Sequence, residues 1–381
     1  MLAPPVFPSE RGETEMASTA ELAAMRRAIA ASAEALGTTN PRPCVGAVVL
    51  DVDGAVVGEG VTQPIYGPHA EVAALAEAGG RARGGTIVAT LEPCSHSGRT
   101  QRCTDAVIDA GLARVVYAMT DPNPIAAGGA DQLRAAGVDI EAGVLADEAA
   151  AVLGPWTQAL GRARPVVTWK YAATLDGRTA ASDGSSRWIT GAPARMDVHR
   201  ERYRSDAVIV GIGSVLSDDP ALTVRDWPAD RQPTRVVVDT QARTPIDARV
   251  LDDAAPTLVV VGAGCDTDRV AALQDAGSEV VPVARTEAGI DLGELLQILH
   301  ERELHLALLE GGATLAASFL RAGLVDRVLG YYAPALLGSG LPVAADLAIA
   351  TIGDAVRLEL DDVARIGDDV RIVASVMTRS S

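Results

Sequence analysis

Aromatic side chains make up only 3% of the 381 residues, so ring-packed cores are not expected and aliphatic strands against Ala-rich helices take their place. Cysteine is scarce as well. Four in a chain of this length do not form a disulfide scaffold, which points to a reducing, cytoplasmic setting. No uninterrupted apolar run reaches the roughly 18–20 residues that a membrane-spanning helix needs. Residues 1–17 carry Pro4, Pro5, Pro8 and several charges but no apolar core flanked by basic residues; they read as a flexible tail, not a signal peptide. Positive charge is in deficit. The formal net charge is −17, with no Lys/Arg-rich run or basic-aromatic stripe, which argues against nucleic acid as a partner. A small phosphorylated substrate is still compatible, because a few placed arginines bind one phosphate whatever the net charge.

What is present is a 48% hydrophobic chain, large enough for two packed cores. The pattern predicts a helix over 18–37, with Ser18 and Thr19 as caps and Gly37 as stop, then apolar runs 45–50 and 55–58 joined by the turn pair Asp53-Gly54. Alternation follows: helix 69–79, strand 85–90, helix 102–111, strand 114–119, helix 128–136, strand 138–141 and a closing helix 146–161. Gly161 through Pro165 has the composition of a boundary. The join is expected near residue 162. The second half restarts with strand 166–173, helix 192–204, strands 206–211, 235–239 and 257–261, helix 266–276 and strand 279–283. Helix 291–301, strand 305–310, helix 313–322 and strands near 325–332 and 369–376 complete it. Both halves are therefore α/β, with a first domain at 18–161 and a second at 162–381.

Chemistry concentrates in the first half. Pro68-His69-Ala70-Glu71 opens a predicted helix, Glu92-Pro93-Cys94 follows a predicted strand, and Cys103 sits nine residues later at another helix start. Zinc accepts imidazole and thiolate in tetrahedral geometry, and three protein ligands leave one position for a water that the metal acidifies. Glu71, two positions after His69, can stand beside that water without ligating the metal and carry its proton to a leaving ammonia. The His-x-Glu and Pro-Cys arrangement is that of zinc deaminases acting on nucleobase-like rings. A structural zinc is the competing reading, with His96 as fourth ligand; Glu71 would have no duty in it. Cys44 and Cys265 read as core residues.

The step from Cys94 to Cys103 is wider than the CxxC of cytidine and tRNA deaminases and holds Ser95-His96-Ser97-Gly98-Arg99-Thr100. With Asn40-Pro41 and Asp121-Pro122-Asn123-Pro124, this insert resembles the deaminase half of the bifunctional riboflavin-biosynthesis deaminase/reductase family. In the second half, Lys170 through Thr179, Ser186 through Gly191 and Asp218 through Arg225 are similar to that family's reductase. The resemblance implies a cytidine-deaminase-like domain followed by a dihydrofolate-reductase-like domain, with one Zn2+ and NADPH as cofactors and a homo-oligomeric assembly. It implies deamination of 2,5-diamino-6-(5-phosphoribosylamino)pyrimidin-4-one, then reduction of the ribosyl group of the product to ribityl.

Residue by residue, the resemblance puts His69, Cys94 and Cys103 on the zinc and Glu71 on the proton. Ala172, Trp188, Ser214, Asp218, Thr240 and the Gly312–Ser318 segment fall on nucleotide-contacting positions; Ser186, Arg202, Leu222, Arg225 and Glu310 fall on substrate-contacting ones. Arg202 and Arg225 suit a phosphate because their forks offer paired donors, and Gly311-Gly312 lets backbone approach a phosphate at a helix start. Two departures stand out: Thr62 occupies a place where the family carries histidine, and Gln101-Arg102 replaces a pair of prolines.

Three rival readings remain at this stage. Gly211-Ile212-Gly213 with Asp239 imitates a Rossmann fingerprint, but Leu216 stands at the third glycine position, where it would obstruct helix-on-strand packing. A nucleic-acid-editing deaminase is opposed by the charge and the long insert. A deaminase joined to a non-catalytic reductase-like domain is the third.

Overall fold

Ser18 starts the first helix with a capping box: its hydroxyl accepts the Glu21 amide hydrogen and the Glu21 carboxylate accepts that of Ser18. In the computed structural model, which describes residues 16–96, 101–287 and 289–377, this helix is α1 (Thr19–Glu34). Most of the expected tail and the Ser97–Thr100 part of the insert lie outside the described residues. The chain divides into two compact units, one built from residues through Leu36 plus Arg42–Gly154, the other from Gly37–Pro41 plus Pro155 onward.

In the first unit, β1 (Gly46–Leu50), β2 (Val56–Val61), α2 (Ala70–Ala78), β3 (Thr86–Leu91), α3 (Cys103–Ala110), β4 (Arg114–Met119), α4 (Gly129–Ala135) and β5 (Asp139–Ala142) follow α1, and α5 (Ala146–Arg162) carries the chain from the first unit into the second after Gly154. The sheet order is β2-β1-β3-β4-β5, antiparallel at the β1–β2 hairpin and the β1–β3 pair and parallel beyond. Central strands β1 and β3 are buried almost throughout, as expected of strands covered on both faces. Arg114 on β4 ties the layers together by bonding Glu21 of α1 and both Asp139 and Glu141 of β5.

One close approach sets the position of α2. A Cβ at Gly58 or Gly60 of β2 would come within 2.2 Å of the Ala74 carbonyl or 2.3 Å of the Ala70 carbonyl. Only glycine lets helix backbone rest on strand backbone there. His69 and Glu71, at the N-terminal end of α2, are held where that contact puts them.

The second unit contains β6 (Val166–Thr174), β7 (Arg178–Ala180), α6 (Ala192–Arg204), β8 (Ala207–Gly211), α7 (Ile212–Asp218), β9 (Thr234–Val238), β10 (Thr257–Gly262), α8 (Thr267–Asp275), β11 (Glu279–Val283), β12 (Arg285–Thr286) and β13 (Gly289–Ile290). Then come α9 (Leu292–Glu301), β14 (Leu306–Leu309), α10 (Ala313–Arg321), β15 (Arg327–Ala333), β16 (Leu341–Pro342), β17 (Leu358–Ile366) and β18 (Asp369–Val376). Nine strands form one sheet, ordered β11-β10-β9-β8-β14-β6-β15-β18-β17. It is parallel from β11 to β15 and antiparallel at its β18–β17 end. One face packs on α9 and α10 through Leu295, Leu296, Leu299, Ala316 and Phe319; the other carries Val215 of α7 and Leu273 of α8.

Differences from the sequence reading have local causes. Strand β17 is not anticipated because most of its residues are exposed, so no alternation marks it. Helix α7 replaces the suspected Rossmann turn, and Leu216 is 51% exposed on it, so its bulk obstructs no helix-strand contact. No helix among the described residues is long and apolar enough to cross a membrane.

Candidate active sites

One strand end and two helix starts bring the first site together. His69 is the N-cap of α2, Cys94 lies three residues beyond β3, and Cys103 opens α3. His69 Nδ1 lies 3.5 Å from Cys94 Sγ and 3.3 Å from Cys103 Sγ, and the two sulfurs are 3.4 Å apart. Tetrahedral coordination with Zn–S near 2.3 Å and Zn–N near 2.0 Å places such donors roughly 3.5–3.8 Å apart. The triangle therefore fits zinc.

Electrostatics favour the same reading. Hydrogen bonds from Cys103 and His69 hold the Cys94 thiol well below its ordinary range, while Cys103, bonded to Cys94 and buried, is pushed up. The pair shares one proton, the state that a cation would discharge on binding. Glu71 is buried close to Cys103 and Cys94. Burial, reinforced by the Cys94 thiolate, raises its carboxyl to about 7. His96 does not join the cluster, which among the described residues comprises His69, Cys94 and Cys103. That leaves three ligands. Thr62, in place of the family's histidine, is buried and its hydroxyl accepts the Val45 amide hydrogen at 3.1 Å.

Behind Cys94, the Glu92 carboxylate accepts the backbone N–H of Ala130 at 3.0 Å, near the N-terminus of α4. Gly129 presses against Pro93 so closely that a Cβ there would lie 1.7 Å from the Pro93 carbonyl oxygen. The Glu92-Pro93-Cys94 turn is thus clamped to α4. A spacing pattern of zinc ligands carries no sign of this support.

The second site is a cavity of about 1600 Å³ in the second unit. Ala172, Trp188, Ser214, Asp218, Thr240, Gly312, Ser186, Arg202, Leu222, Arg225 and Glu310 all line it. Helix α7, directly after β8, and the turn after β14 face each other there, since a Cβ on Gly312 would lie 3.6 Å from Ser214 Oγ. Gly312 caps α10 with no side-chain bond to the helix amides, an arrangement that suits a phosphate. Trp188 is 69% exposed, with the Arg195 guanidinium 4.4 Å from its ring centroid.

Also in this cavity, Glu310 just beyond β14 pairs with Lys170 at 3.2 Å and with Arg202 at 2.5 and 3.1 Å. Burial alone would raise its carboxyl, but Arg202 and Lys170 hold it well below the usual range. Arg202 lines the cavity as expected, and it is also held in place: its Nε and Nη2 bond Glu310 and its Nη1 donates to the Thr223 carbonyl, which leaves two of its five N–H donors for an anion. Lys170 opens the Lys170–Thr179 motif, but no sequence feature pairs it with Glu310, 140 residues away. His199 is neutral, brought to about 4 by burial and by the charges of Arg202 and Arg225.

Residues 18–119 match the cytidine and deoxycytidylate deaminase zinc-binding region, and residues 165–372 match the RibD C-terminal domain. The chain is 45% identical to riboflavin biosynthesis protein RibD of Mycobacterium tuberculosis over 353 residues, covering 91% of this chain and 95% of that protein. To the Escherichia coli protein of the same description it is 38% identical over 366 residues, covering 91% and 96%. Among solved structures, Acinetobacter baumannii RibD superposes with a TM-score of 0.85 at 36% identity, covering 94% of this chain and 99% of that one. A Thermotoga maritima diaminohydroxyphosphoribosylaminopyrimidine deaminase/5-amino-6-(5-phosphoribosylamino)uracil reductase gives 0.83 at 32%, with the same coverage.

Proposed function

Because the chain belongs to the RibD family, which joins a deaminase zinc-binding domain to a reductase domain, we propose that its two sites act in turn on one phosphorylated pyrimidine. The protein is a bifunctional enzyme of riboflavin biosynthesis. The first reaction replaces the ring amine of 2,5-diamino-6-(5-phosphoribosylamino)pyrimidin-4-one with oxygen from water and releases ammonia. The second reduces the ribosyl group of 5-amino-6-(5-phosphoribosylamino)uracil to ribityl. We assign them to residues 18–161 and 162–381, after a tail at 1–17.

In the deaminase, His69, Cys94 and Cys103 would hold the metal. Zinc, when bound there, supplies an acidified water. Glu71 takes the proton of that attacking water and delivers it to the departing ammonia, a task that suits a buried carboxyl raised to about 7. The observation that carries this reading is the three-donor triangle with Glu71 buried against it.

In the reductase, the family implies a nicotinamide cofactor, and we take it to be NADPH. NADPH supplies the hydride. Ala172, Trp188, Ser214, Asp218, Thr240 and Gly312 would bind it, while Ser186, Leu222 and the ionised Glu310 hold the sugar against it and exclude water. Arg202 and Arg225 would face the phosphate, and Arg202 also positions Glu310. Free thiols at Cys44, Cys94, Cys103 and Cys265 suit a cytoplasmic location; a homo-oligomer follows from the family resemblance.

The test is a coupled assay on zinc-loaded protein. Ammonia release followed by NADPH oxidation supports the reading; ammonia with no NADPH loss on authentic deaminated substrate reduces the second domain to a silent one.

A further inference from the structure

The loop that leads to His69 begins at Thr62, one of the chain's departures from its family, and it is held by a residue outside the metal-binding motif. We infer that Arg42 is a positioning residue of the deaminase: its guanidinium gathers the carbonyls of this loop and so fixes His69 and Glu71 against the Cys94 and Cys103 sulfurs. This rests on the reading of the first site as the deaminase centre.

Strand β2 ends at Val61 and α2 begins at Ala70, so residues 62–69 carry the chain from one to the other. Thr62 is committed backwards. Its hydroxyl accepts the Val45 amide hydrogen at 3.1 Å, and its own N–H donates to the Val45 carbonyl at 2.9 Å. The stretch after it closes on itself, with the Gln63 N–H donating to the Pro68 carbonyl at 3.1 Å and the Gly67 N–H to that of Pro64 at 2.8 Å. Arg42 lies across this loop. Its Nη2 donates to the carbonyls of Gln63 at 2.6 Å and Pro64 at 2.5 Å, and its Nη1 to that of Gly67 at 3.0 Å. Pro68 leads directly into His69, the first metal donor, which is the N-cap of the helix that carries Glu71.

A surface loop ordinarily leaves its carbonyls to water, and ordering an arginine side chain over it costs rotamer entropy. Here one planar fork serves three carbonyls of a single loop, a rigid cross-brace that a flexible ammonium would not make. The loop also keeps a backbone that its sequence disfavours. Tyr66 has a φ of 76° without being glycine, and its ring is largely exposed; such a residue persists only where its surroundings over-determine it. The Arg42 bonds fall on both sides of Tyr66. A Cβ on Gly67 would come within 2.6 Å of Gln63 Cβ, so the turn has no slack. Metal donors and proton carriers must be held within about 0.5 Å of their working positions, and a braced loop immediately before His69 does that.

The experiment compares full-length wild type, Arg42→Ala and Arg42→Lys in three ways: kcat and KM for ammonia release with zinc bound, the visible spectrum with Co2+ in its place, and chymotrypsin cleavage after Tyr66 in metal-free protein. In Arg42→Ala, kcat should fall about ten- to a hundredfold, the cost of a small misplacement, with KM unchanged. The Co2+ bands should shift and cleavage after Tyr66 should quicken. Arg42→Lys, whose single nitrogen cannot serve carbonyls on both sides of Tyr66, falls between, and methylguanidinium restores part of the kcat of Arg42→Ala while leaving wild type unaffected. Wild-type kcat and spectrum in Arg42→Ala overturn the inference, and if that variant does not fold, the same values in Arg42→Lys do so. A rise in KM with kcat intact also overturns it, giving Arg42 to the substrate. So does a fall in kcat with an unaltered Co2+ spectrum and no rescue, which marks general destabilisation. A zinc-loaded wild type that releases no ammonia removes the deaminase reading and the inference with it.

Discussion

Arg202 and Glu310 meet in a two-point pair, Nε to Oε1 at 2.5 Å and Nη2 to Oε2 at 3.1 Å, joining α6 to the end of β14 across 108 residues. Both side chains are about nine-tenths buried. Removing one partner of such a pair strands the other charge, at a cost of about 3–5 kcal/mol. Arg202→Met should therefore destabilise the second unit by about 3 kcal/mol, the lower end, since Lys170 still neutralises Glu310. All four tryptophans, Trp156, Trp169, Trp188 and Trp227, lie in that unit, so fluorescence during urea unfolding reports on it selectively. A midpoint equal to wild type would mean that the pair contributes nothing.

His305 offers a pH test. Burial, with a contribution from His300, lowers its imidazole to about 4, and its Nδ1 has no partner among the described residues. In the unfolded chain this ring takes a proton near 6.5, whereas in the folded protein it does not until near 4. Its contribution is complete above pH 6.5 and falls as pH drops toward 4, by up to about 1.4 kcal/mol per pH unit. Other buried groups titrate in the same range, Asp206 and Asp121 with the opposite sign, so the comparison is with His305→Asn. Wild type should lose stability more steeply than the variant between pH 6.5 and 4. Parallel curves would show His305 to be protonated alike in both states.

These two cases mark what the sequence could and could not disclose. The donors His69, Cys94 and Cys103, with Glu71 beside them, were legible because each lies next to a short local signal: a helix start, a strand end or a fixed offset. The parallel core was legible because β8, β9 and β10 are aliphatic runs between breakers. Long-range commitments were not. Arg202 is an arginine of suitable shape in any sequence, and only folding shows that three of its donors reach Glu310 and Thr223. Strand β17 escaped because it lacks the alternation that a half-buried strand would have.

Gly129→Ala tests the support behind the metal. The added Cβ would overlap the Pro93 carbonyl, backbone against backbone, forcing the residue before Cys94 to move. Such overpacking costs about 1–3 kcal/mol. Zinc should leave the variant faster in a chelator-competition assay, with the reductase unaffected. Unchanged zinc release would show that the turn absorbs the clash.

Cys103→Ser separates the two activities. Zinc content should fall from about one per chain toward none, because a hydroxyl is a far weaker ligand for zinc than a thiolate, and ammonia release should go with it. NADPH oxidation on the already deaminated substrate should persist, since that cavity is lined entirely by residues of the second unit. Loss of both activities would indicate that the metal also supports the reductase.

The most direct measurement on the central claim follows ammonia release and NADPH oxidation separately in wild type and Glu71→Gln, with zinc content determined on the same samples. The account predicts that Glu71→Gln retains zinc and loses ammonia release by about 10²–10⁴-fold, while still reducing the deaminated substrate with NADPH. Wild-type rates of ammonia release from the zinc-loaded variant would contradict it, since the buried carboxyl beside His69, Cys94 and Cys103 would then move no proton.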